Sequence, residues 1–472
     1  MKYLFTILLA VLLFSCSNND NADLKILELS SGKLIPDFSS GITEYSVISL
    51  NSLRPVKINA IAEDESSKVS YNIEVNSDNT FKLHKIDKYK FIEITVTAKS
   101  GSTKTYKIRT VPKNFPELKV KVNNSPSDDY LYLANFSLDR KFRSEYGKFI
   151  MIVDNFGKPV FYRNVGLGSA EFKKHIDGTY SYFNAERIEM PEIFGSFIRL
   201  DENFNIIDTH RCDHGLTDMH DFEVLPNGNI MMLGVEIKDM DFSKAGGSNK
   251  VRTWEYFLQE MDKNKKVVRN WKTFDYFKPS DIISVYDLKA GALEHGVNCN
   301  AIWQYPDGNI LLCSRKLDEI TKIDWKTGKI LWRMGGVQSK NNQFKFINDP
   351  KNGFSHQHTA SVLENGNILL MDNGNFNKKG VTKEDIFFVP ETRIIEYKID
   401  ESAKTAELVW EYKIDGMFVP IMGSAQRLNN GNTLMCWAKD SPAFTEVDSQ
   451  GNKVWEMDLP KGFQCYSAYK FK

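Results

Sequence analysis

The chain has 472 residues, with 61 basic and 61 acidic side chains and a formal net charge of zero. That balance excludes a broad electrostatic grip on nucleic acid. The length allows more than one hydrophobic core.

At the N-terminus, Lys2 precedes the apolar run LFTILLAVLLF, which leads into Ser15-Cys16. A basic start, a short apolar stretch and a small residue before the cut describe a secretory signal. The run is too short to span a bilayer comfortably. Leu13-Phe14-Ser15-Cys16 resembles a bacterial lipobox, which implies cleavage before Cys16 and lipidation of its thiol. Residues 1–16 are therefore expected to be a lipoprotein signal peptide and residues 17–22 a polar tether. The expected location is the periplasm, or the surface of the outer membrane or cell, with membrane contact through the lipid alone.

Residues 23–112 carry short alternating strands such as YSVISL, VKINAIA, SYNIEV and FIEITVTA, separated by turn-rich segments. This pattern predicts a small Ig-like β-sandwich. LKILELSSGKLIPDFSSGITEYSV and ITVTAKSGSTKTYKIRTV resemble a cadherin-like sandwich module of exported proteins, which implies a spacer rather than chemistry. The proline-flanked segment VPKNFPEL marks the boundary.

Residues 117–472 form a repeat array. HDFEVLPNGNIMML from His220, NAIWQYPDGNILLC from Asn300, HTASVLENGNILLM from His358 and GSAQRLNNGNTLMC from Gly423 share one frame, and AEFKKHIDGTYSYF from Ala170 is a weaker copy. Each reads as a hairpin with a two-residue Asn-Gly or Asp-Gly turn. A second repeat, Asp-x-x-Gly-Lys-x-x-Trp and its variants, recurs in MIVDNFGKPVFY, IRLDENFNIIDT, QEMDKNKKVVRNW, TKIDWKTGKILW, IEYKIDESAKTAELVW and TEVDSQGNKVW. Such periodicity predicts a six-bladed β-propeller. The terminal segment CYSAYKFK is expected to complete the first blade, whose other strands begin at YLYLANFS. The fold class is thus all-β, a six-bladed β-propeller preceded by a small β-sandwich.

Beyond Cys16 stand Cys212, Cys299, Cys313, Cys436 and Cys465, without a C-x-x-C. A zinc or thioredoxin-type site is not indicated. An odd number leaves at least one thiol free, and Cys299 and Cys313 are not expected as direct cross-strand partners.

Innermost propeller strands line a channel, so residues in one phase converge. A two-residue turn sets His220 opposite Val235, Asn300 opposite Arg315, His358 opposite Asn373 and Gly423 opposite Ala438, all at one mouth. Two residues earlier on the same face stand Asp218, Asn298, His356 and Ile421, with His295 just before. The chain has only eight histidines, and His220, His295, His356 and His358 all fall here. Three chemistries fit such a cluster. The histidines could bind a metal, although no tight ligand spacing is present. Histidines with an arginine could hold a tetrahedral anion. An imidazole could itself be a nucleophile.

At these residues the chain resembles the bacterial arylsulfate sulfotransferases, a PAPS-independent family that joins a small β-domain to a six-bladed propeller. The matching motifs are Met219-His220-Asp221-Phe222-Glu223 with LPNGN, Asn300-Ala301-Ile302 running to Ser314-Arg315, and Gln357-His358-Thr359-Ala360 running to Asp372-Asn373-Gly374. The resemblance implies ping-pong transfer of a sulfuryl group from a phenolic sulfate donor to a phenolic acceptor, with no cofactor and no metal. It makes His358 the nucleophile, His220 a channel histidine that handles the phenolic proton or binds sulfate, and Arg315 the charge-neutralising group. Asn298, Asn300, His295, His356 and Asn373 would contact substrate. In one place the pattern departs: Asn298 stands where the family carries a histidine, and an amide cannot shuttle a proton at neutral pH. His295 or His356 could take its place. The competing expectation is a non-catalytic propeller that binds an anionic or glycan ligand at this mouth. A quinone-dependent dehydrogenase is less favoured, lacking a tryptophan-docking repeat. A homodimer is a candidate assembly.

Overall fold

The computed structural model describes residues 21–48, 55–81, 91–112, 114–139, 144–189, 192–284, 286–293, 296–375, 377–378, 386–387 and 391–472. The signal segment, Cys16 with its expected lipid, most of the tether and His295 lie outside the described residues. The chain divides into two compact units, Met1–Lys113 and Asn114–Lys472.

The first unit is a β-sandwich. One sheet pairs Leu24–Leu29, Val56–Ala62 and Thr80–Phe81; the other contains Lys33–Ile35, Glu44–Ile48, Thr103–Thr110, Phe91–Thr97 and Lys68–Tyr71 in that order. Alternation along Phe91–Thr97 buries Ile92, Ile94 and Val96. These pack on Leu24, Leu27, Val56 and Ile58 of the opposite sheet in one core.

Among its described residues the second unit holds six sheets of four or five strands, which are the blades of the propeller. Blades 2 to 6 begin with the inner strands Phe172–Lys174, Leu216–Val224, Cys299–Gln304, His358–Val362 and Ser424–Arg427. Blade 1 takes its inner strand from the chain end: Ala468–Phe471 pairs antiparallel with Tyr130–Ala134. Blade 6 gains an outer strand, Lys119–Asn123, from the start of the unit. Both ends of this unit therefore cover edges that would otherwise be open.

The outer repeat is explained by its aspartate. Asp154 Oδ1 accepts from the N–H groups of Phe156 and Lys158 at 2.9 Å each. Asp201, Asp262 and Asp448 do the same two and four residues on. Asp324 and Asp400 serve N–H groups two and three residues on. The side chain replaces turn hydrogen bonds that the backbone cannot make.

The inner hairpins differ from the expected two-residue turns. In the His220 copy, Leu225 N–H donates to Asn229 O at 2.8 Å and Gly228 N–H to Leu225 O at 2.8 Å, leaving a three-residue loop Pro226-Asn227-Gly228. The copies ending at Gly178, Gly308, Gly366 and Gly431 repeat both bonds. Only the loop glycine has positive φ, 80° at Gly228 and 83° at Gly308. This is a type I turn followed by an αL residue rather than a type I′ turn. The strand register moves by one residue as a result.

Side chains join each inner strand to the next around the ring. Tyr469 donates to Glu171 at 3.2 Å, and Lys173 to Asp221 at 2.6 Å. Asp221 in turn accepts from Ile302 N at 2.5 Å, and Asn300 Nδ2 donates to Gln357 O at 2.9 Å. Thr359 Oγ1 donates to Gly423 O at 3.1 Å, and Ser424 Oγ to Ala468 O at 3.2 Å. Burial opposes the charge of Lys173, but Asp221, Glu171 and Glu223 outweigh it and hold its pKa well above the usual lysine value. Burial pushes Glu171 the other way, up to about 8.

The closing strand also carries an ion pair. Lys470 Nζ lies 2.7 Å from Glu446 Oε2, and both side chains are fully buried. Removing one partner of such a pair leaves an uncompensated buried charge. Lys470→Met is expected to lower the stability of the propeller transition in urea by about 3–5 kcal/mol. An unchanged midpoint and slope would show that the closing strand is not held this way.

Candidate active site

Non-glycine residues in the αL region cluster where the inner strands begin: Asn298 (φ 54°), His356 (φ 56°), Thr359 (φ 48°) and Met422 (φ 66°). Backbone of this kind persists only where the surroundings hold it. Here the clamps are visible. Gln357 Nε2 donates to Glu319 O at 2.8 Å and Ser314 O at 3.3 Å in blade 4, while Thr359 reaches Gly423 O in blade 6. His358 sits between these two clamps. Gly423 fills the equivalent place in blade 6 because a Cβ there would lie 2.0 Å from Met371 Sδ, and its φ is +97°.

The buried His358 has a defined orientation. Nδ1 lies 2.7 Å from Asn373 Oδ1 and 3.2 Å from His356 O. Asn373 is itself fixed, since its Nδ2 donates to Val419 O at 2.8 Å and Met422 O at 3.0 Å. With two oxygens facing it, Nδ1 carries the proton and Nε2 keeps its lone pair. Nε2 accepts only a 3.2 Å contact from Met422 N–H among the described residues. Burial, then the nearby Arg315 charge and His220, hold the pKa of His358 well below the usual histidine value of 6.5.

Arg315 follows the inner hairpin of blade 4 in a short 3₁₀ turn, Arg315–Leu317. It is half-buried and donates Nη1 to Tyr286 Oη at 3.0 Å and Nη2 to Pro420 O at 3.1 Å. Its buried Nε has no hydrogen-bond partner among the described residues. Pro420 and Ile421 beside it are exposed, so the mouth meets solvent there. Segment 420–422 thus touches both Arg315 and His358.

His220 is buried, with Nδ1 2.6 Å from Asp218 Oδ1. Tyr466 stands edge-on to both histidines, its ring 5.5 Å from His220 and 6.3 Å from His358. His356 bonds elsewhere: Nε2 is 2.8 Å from Tyr286 Oη and Nδ1 is 3.1 Å from Asp318 Oδ1.

The expected pairings need correction, that of Gly423 with Ala438 included, since Ser424 opposes Cys436. Arg315 does not face Asn300, because its N–H bonds to Asn298 O at 2.9 Å and a bulge between Cys299 and Ala301 displaces Asn300. Val235 pairs with Leu216 across a larger bulge, not with His220. His358 and Asn373 do meet, but through side chains, since the backbone partner of His358 is Met371. The thiols pair differently too: Cys299 opposes Ser314 and Cys313 opposes Ala301, and all five described cysteines are free. Asn298 directs its amide toward Tyr256 Oη at 3.4 Å, and Asn300 binds the neighbouring blade. Tyr286, Asp318 and Tyr466 were not singled out from sequence. Among the described residues, no three His, Cys, Asp or Glu side chains are grouped to hold a metal ion.

A cavity of about 1090 Å³ runs from the inner-hairpin loops to this cluster. His220, Asn300 and Thr359 line its inner part and Pro226, Asn365 and Gly431 its other end, while His358 and Arg315 are not in its lining.

The sequence profile of "Arylsulfotransferase (ASST)" matches residues 117–470. The chain belongs to the arylsulfotransferase family. A cadherin-like β-sandwich profile matches residues 21–111. Membership supports arylsulfotransferase activity for the propeller unit. No curated protein matches this chain. Among solved structures, a protein of unknown function from Bacteroides caccae is 12% identical with a TM-score of 0.45, covering 73% of this chain and 100% of that one. A putative 6-phosphogluconolactonase from Bacteroides fragilis is 11% identical with a TM-score of 0.39, covering 74% of this chain and 100% of that one. A catalytically inactive virginiamycin B lyase from Staphylococcus aureus is 12% identical with a TM-score of 0.36, covering 72% and 88%. Likeness at this level carries no argument about chemistry.

The state of His358 can be read without substrate. Its folded pKa lies below the unfolded 6.5, so the fold binds fewer protons here than the unfolded chain. Folding stability contributed at this site is therefore present above pH 6.5 and lost as pH falls from there toward the folded pKa. Nitrogen-15 spectra are expected to show a neutral His358 ring with protonated Nδ1 at pH 6.5. A half-charged ring at that pH would contradict the geometry.

Proposed function

We propose that the propeller transfers a sulfuryl group from a phenolic sulfate ester to a phenolic acceptor in two steps, through a sulfohistidine on His358. The observation that carries this reading is the His358 imidazole, neutral, with Nδ1 anchored on Asn373 and the Nε2 lone pair free of any strong partner. An imidazole so held is a nucleophile near neutral pH.

Nε2 attacks the ester sulfur, the sulfur–oxygen bond to the aryl group breaks, and the electron pair leaves on the phenoxide oxygen. Asn373 Oδ1 then faces the Nδ1–H of a ring made more acidic by its sulfuryl substituent. The charge of the transferring group falls to Arg315, whose Nε–H, without a partner among the described residues, suits a sulfuryl oxygen. Met422 N–H, bonded to Nε2 before reaction, becomes available to another oxygen. In the second step an acceptor phenol, deprotonated as it attacks, takes the sulfuryl group and restores His358. His220, oriented by Asp218, stands at the inner side of the site, where its ring can contact a phenolic or sulfuryl oxygen. Placement of groups and stabilisation of charge supply most of the catalysis in such a reaction.

From the basic start, the short apolar run and Leu13-Phe14-Ser15-Cys16, we further propose that the protein is exported and held by a lipid on Cys16. Incorporation of labelled palmitate that Cys16→Ala abolishes would support the anchor.

Purified protein is expected to release nitrophenol from 4-nitrophenyl sulfate in the presence of a phenol, and His358→Ala to abolish that release. Arg315→Lys, which keeps the charge but loses the fork, is expected to lower kcat by about 10²–10³. An active His358→Ala variant would overturn the nucleophile. Saturable sulfate or glycan binding without turnover would favour the non-catalytic propeller.

A further inference from the structure

Four groups beside the nucleophile form a continuous chain of contacts, an ion-pair contact at its buried end and hydrogen bonds beyond it, with Ser355 Oγ also 3.1 Å from His356 Nδ1. Asp318 Oδ1 meets His356 Nδ1 at 3.1 Å, His356 Nε2 meets Tyr286 Oη at 2.8 Å, and Tyr286 Oη accepts from Arg315 Nη1 at 3.0 Å. The chain runs from full burial to solvent: Asp318 and His356 are buried, whereas Tyr286 and Arg315 are half-exposed at the mouth. Asp318 also accepts from His356 N–H at 2.8 Å, so carboxylate, backbone and ring are locked together. The αL backbone of both Asp318 (φ 50°) and His356 (φ 56°) sets this geometry. None of it follows from strand periodicity, because Tyr286 lies in the irregular segment between blades 3 and 4.

We propose that Tyr286 is the proton donor and acceptor for the phenolic oxygen on the mouth side of the site, with His356 and Asp318 as its positioning residues. This inference rests on the sulfuryl-transfer reading above. The need for such a group is chemical. Expelling a phenoxide calls for a proton on its oxygen, and accepting from a phenol calls for that proton to leave. Asn298 can do neither.

The proton steps balance over one cycle. The first step requires a proton on His356 Nε2, from which Nε2–H and Arg315 Nη1–H both donate to Tyr286 Oη. The phenolic O–H then points away from them, toward substrate. As His358 Nε2 bonds to sulfur and the aryl oxygen departs, that oxygen takes the Tyr286 proton, and Tyr286 takes the proton from His356 Nε2. In the second step the acceptor phenol gives its proton to Tyr286, which returns its own to His356. The acceptor oxygen bonds to sulfur, and the nitrogen–sulfur electron pair returns to His358. Burial raises the phenol pKa of Tyr286 and Arg315 pulls it down, so the resting group is the protonated phenol that the first step requires.

The test uses full-length protein and substituted phenyl sulfates whose leaving phenols span a wide acidity range. Tyr286→Phe retains the ring, which packs on His356 with centroids 5.9 Å apart and lies 4.6 Å from Lys316 Nζ. Donor kcat/KM reports the first step. For 4-nitrophenyl sulfate, whose phenoxide leaves unaided, Tyr286→Phe is expected to change it by no more than about threefold, but for unsubstituted phenyl sulfate to lower it by about a hundredfold. A plot of log kcat/KM against leaving-group pKa should therefore steepen. His356→Gln, which cannot return a proton, should steepen it the same way. A uniform loss across all donors, or an unchanged slope in both Tyr286→Phe and His356→Gln, overturns the relay while leaving the sulfohistidine intact. If the native protein turns over no aryl sulfate, the reading beneath the relay fails first, and the relay with it.

Discussion

Strand Ala468–Phe471 hydrogen-bonds to Tyr130–Ala134 at the opposite end of the propeller unit, and the chemistry of the site depends on that closure. The ring is sealed at two radii, by this inner strand and by Lys119–Asn123 at the outer edge of blade 6. At the innermost radius a side-chain bond crosses each blade boundary, several of them made by charged or amide groups with almost no exposure. Such buried polar bonds add little net stability each, but leaving one unmade is costly. Their effect is to fix the blades in one angular arrangement. Tyr466, just before the closing strand, sits edge-on to His220 and His358, so the seam of the ring is also a wall of the site.

Within that frame the site is built by departures from regular strand geometry. Inner strands of blades 3, 4 and 5 all carry bulges at the mouth end, and the αL residues fall beside them. Bulges re-aim side chains that an ideal ladder would hold apart. Gln357 and Thr359 tie the histidine strand to the blades on either side, which leaves the intervening His358 one orientation. Its burial and the nearby Arg315 charge then favour the neutral ring. Geometry and electrostatics at this residue thus have a single origin in the clamped, bulged strand.

How much of this was legible in sequence differs by element. The aspartates of the outer repeat and the glycines of the inner repeat located the hairpins, since both act through local hydrogen bonds and backbone conformation. Register was misread by one residue. Pro226 and Pro306 held the missing signal: proline fits the second position of a type I turn, which makes the loop three residues long. Histidine convergence survived that error because His220, His356 and His358 belong to strand ends that the fold gathers whatever the exact pairing. Arg315 reached the site by a 3₁₀ turn rather than by pairing with Asn300. Tyr286 and Asp318 were invisible because one lies in an irregular connection and the other acts only through His356.

The central claim is that His358 carries the sulfuryl group between donor and acceptor, and peptide mass mapping addresses it most directly. After incubation with 4-nitrophenyl sulfate alone, the peptide containing His358 should gain the mass of one SO₃ group and lose it again when a phenol is added. A protein that turns over donor and acceptor while this peptide stays unmodified, or gains the group on another residue, would contradict the account.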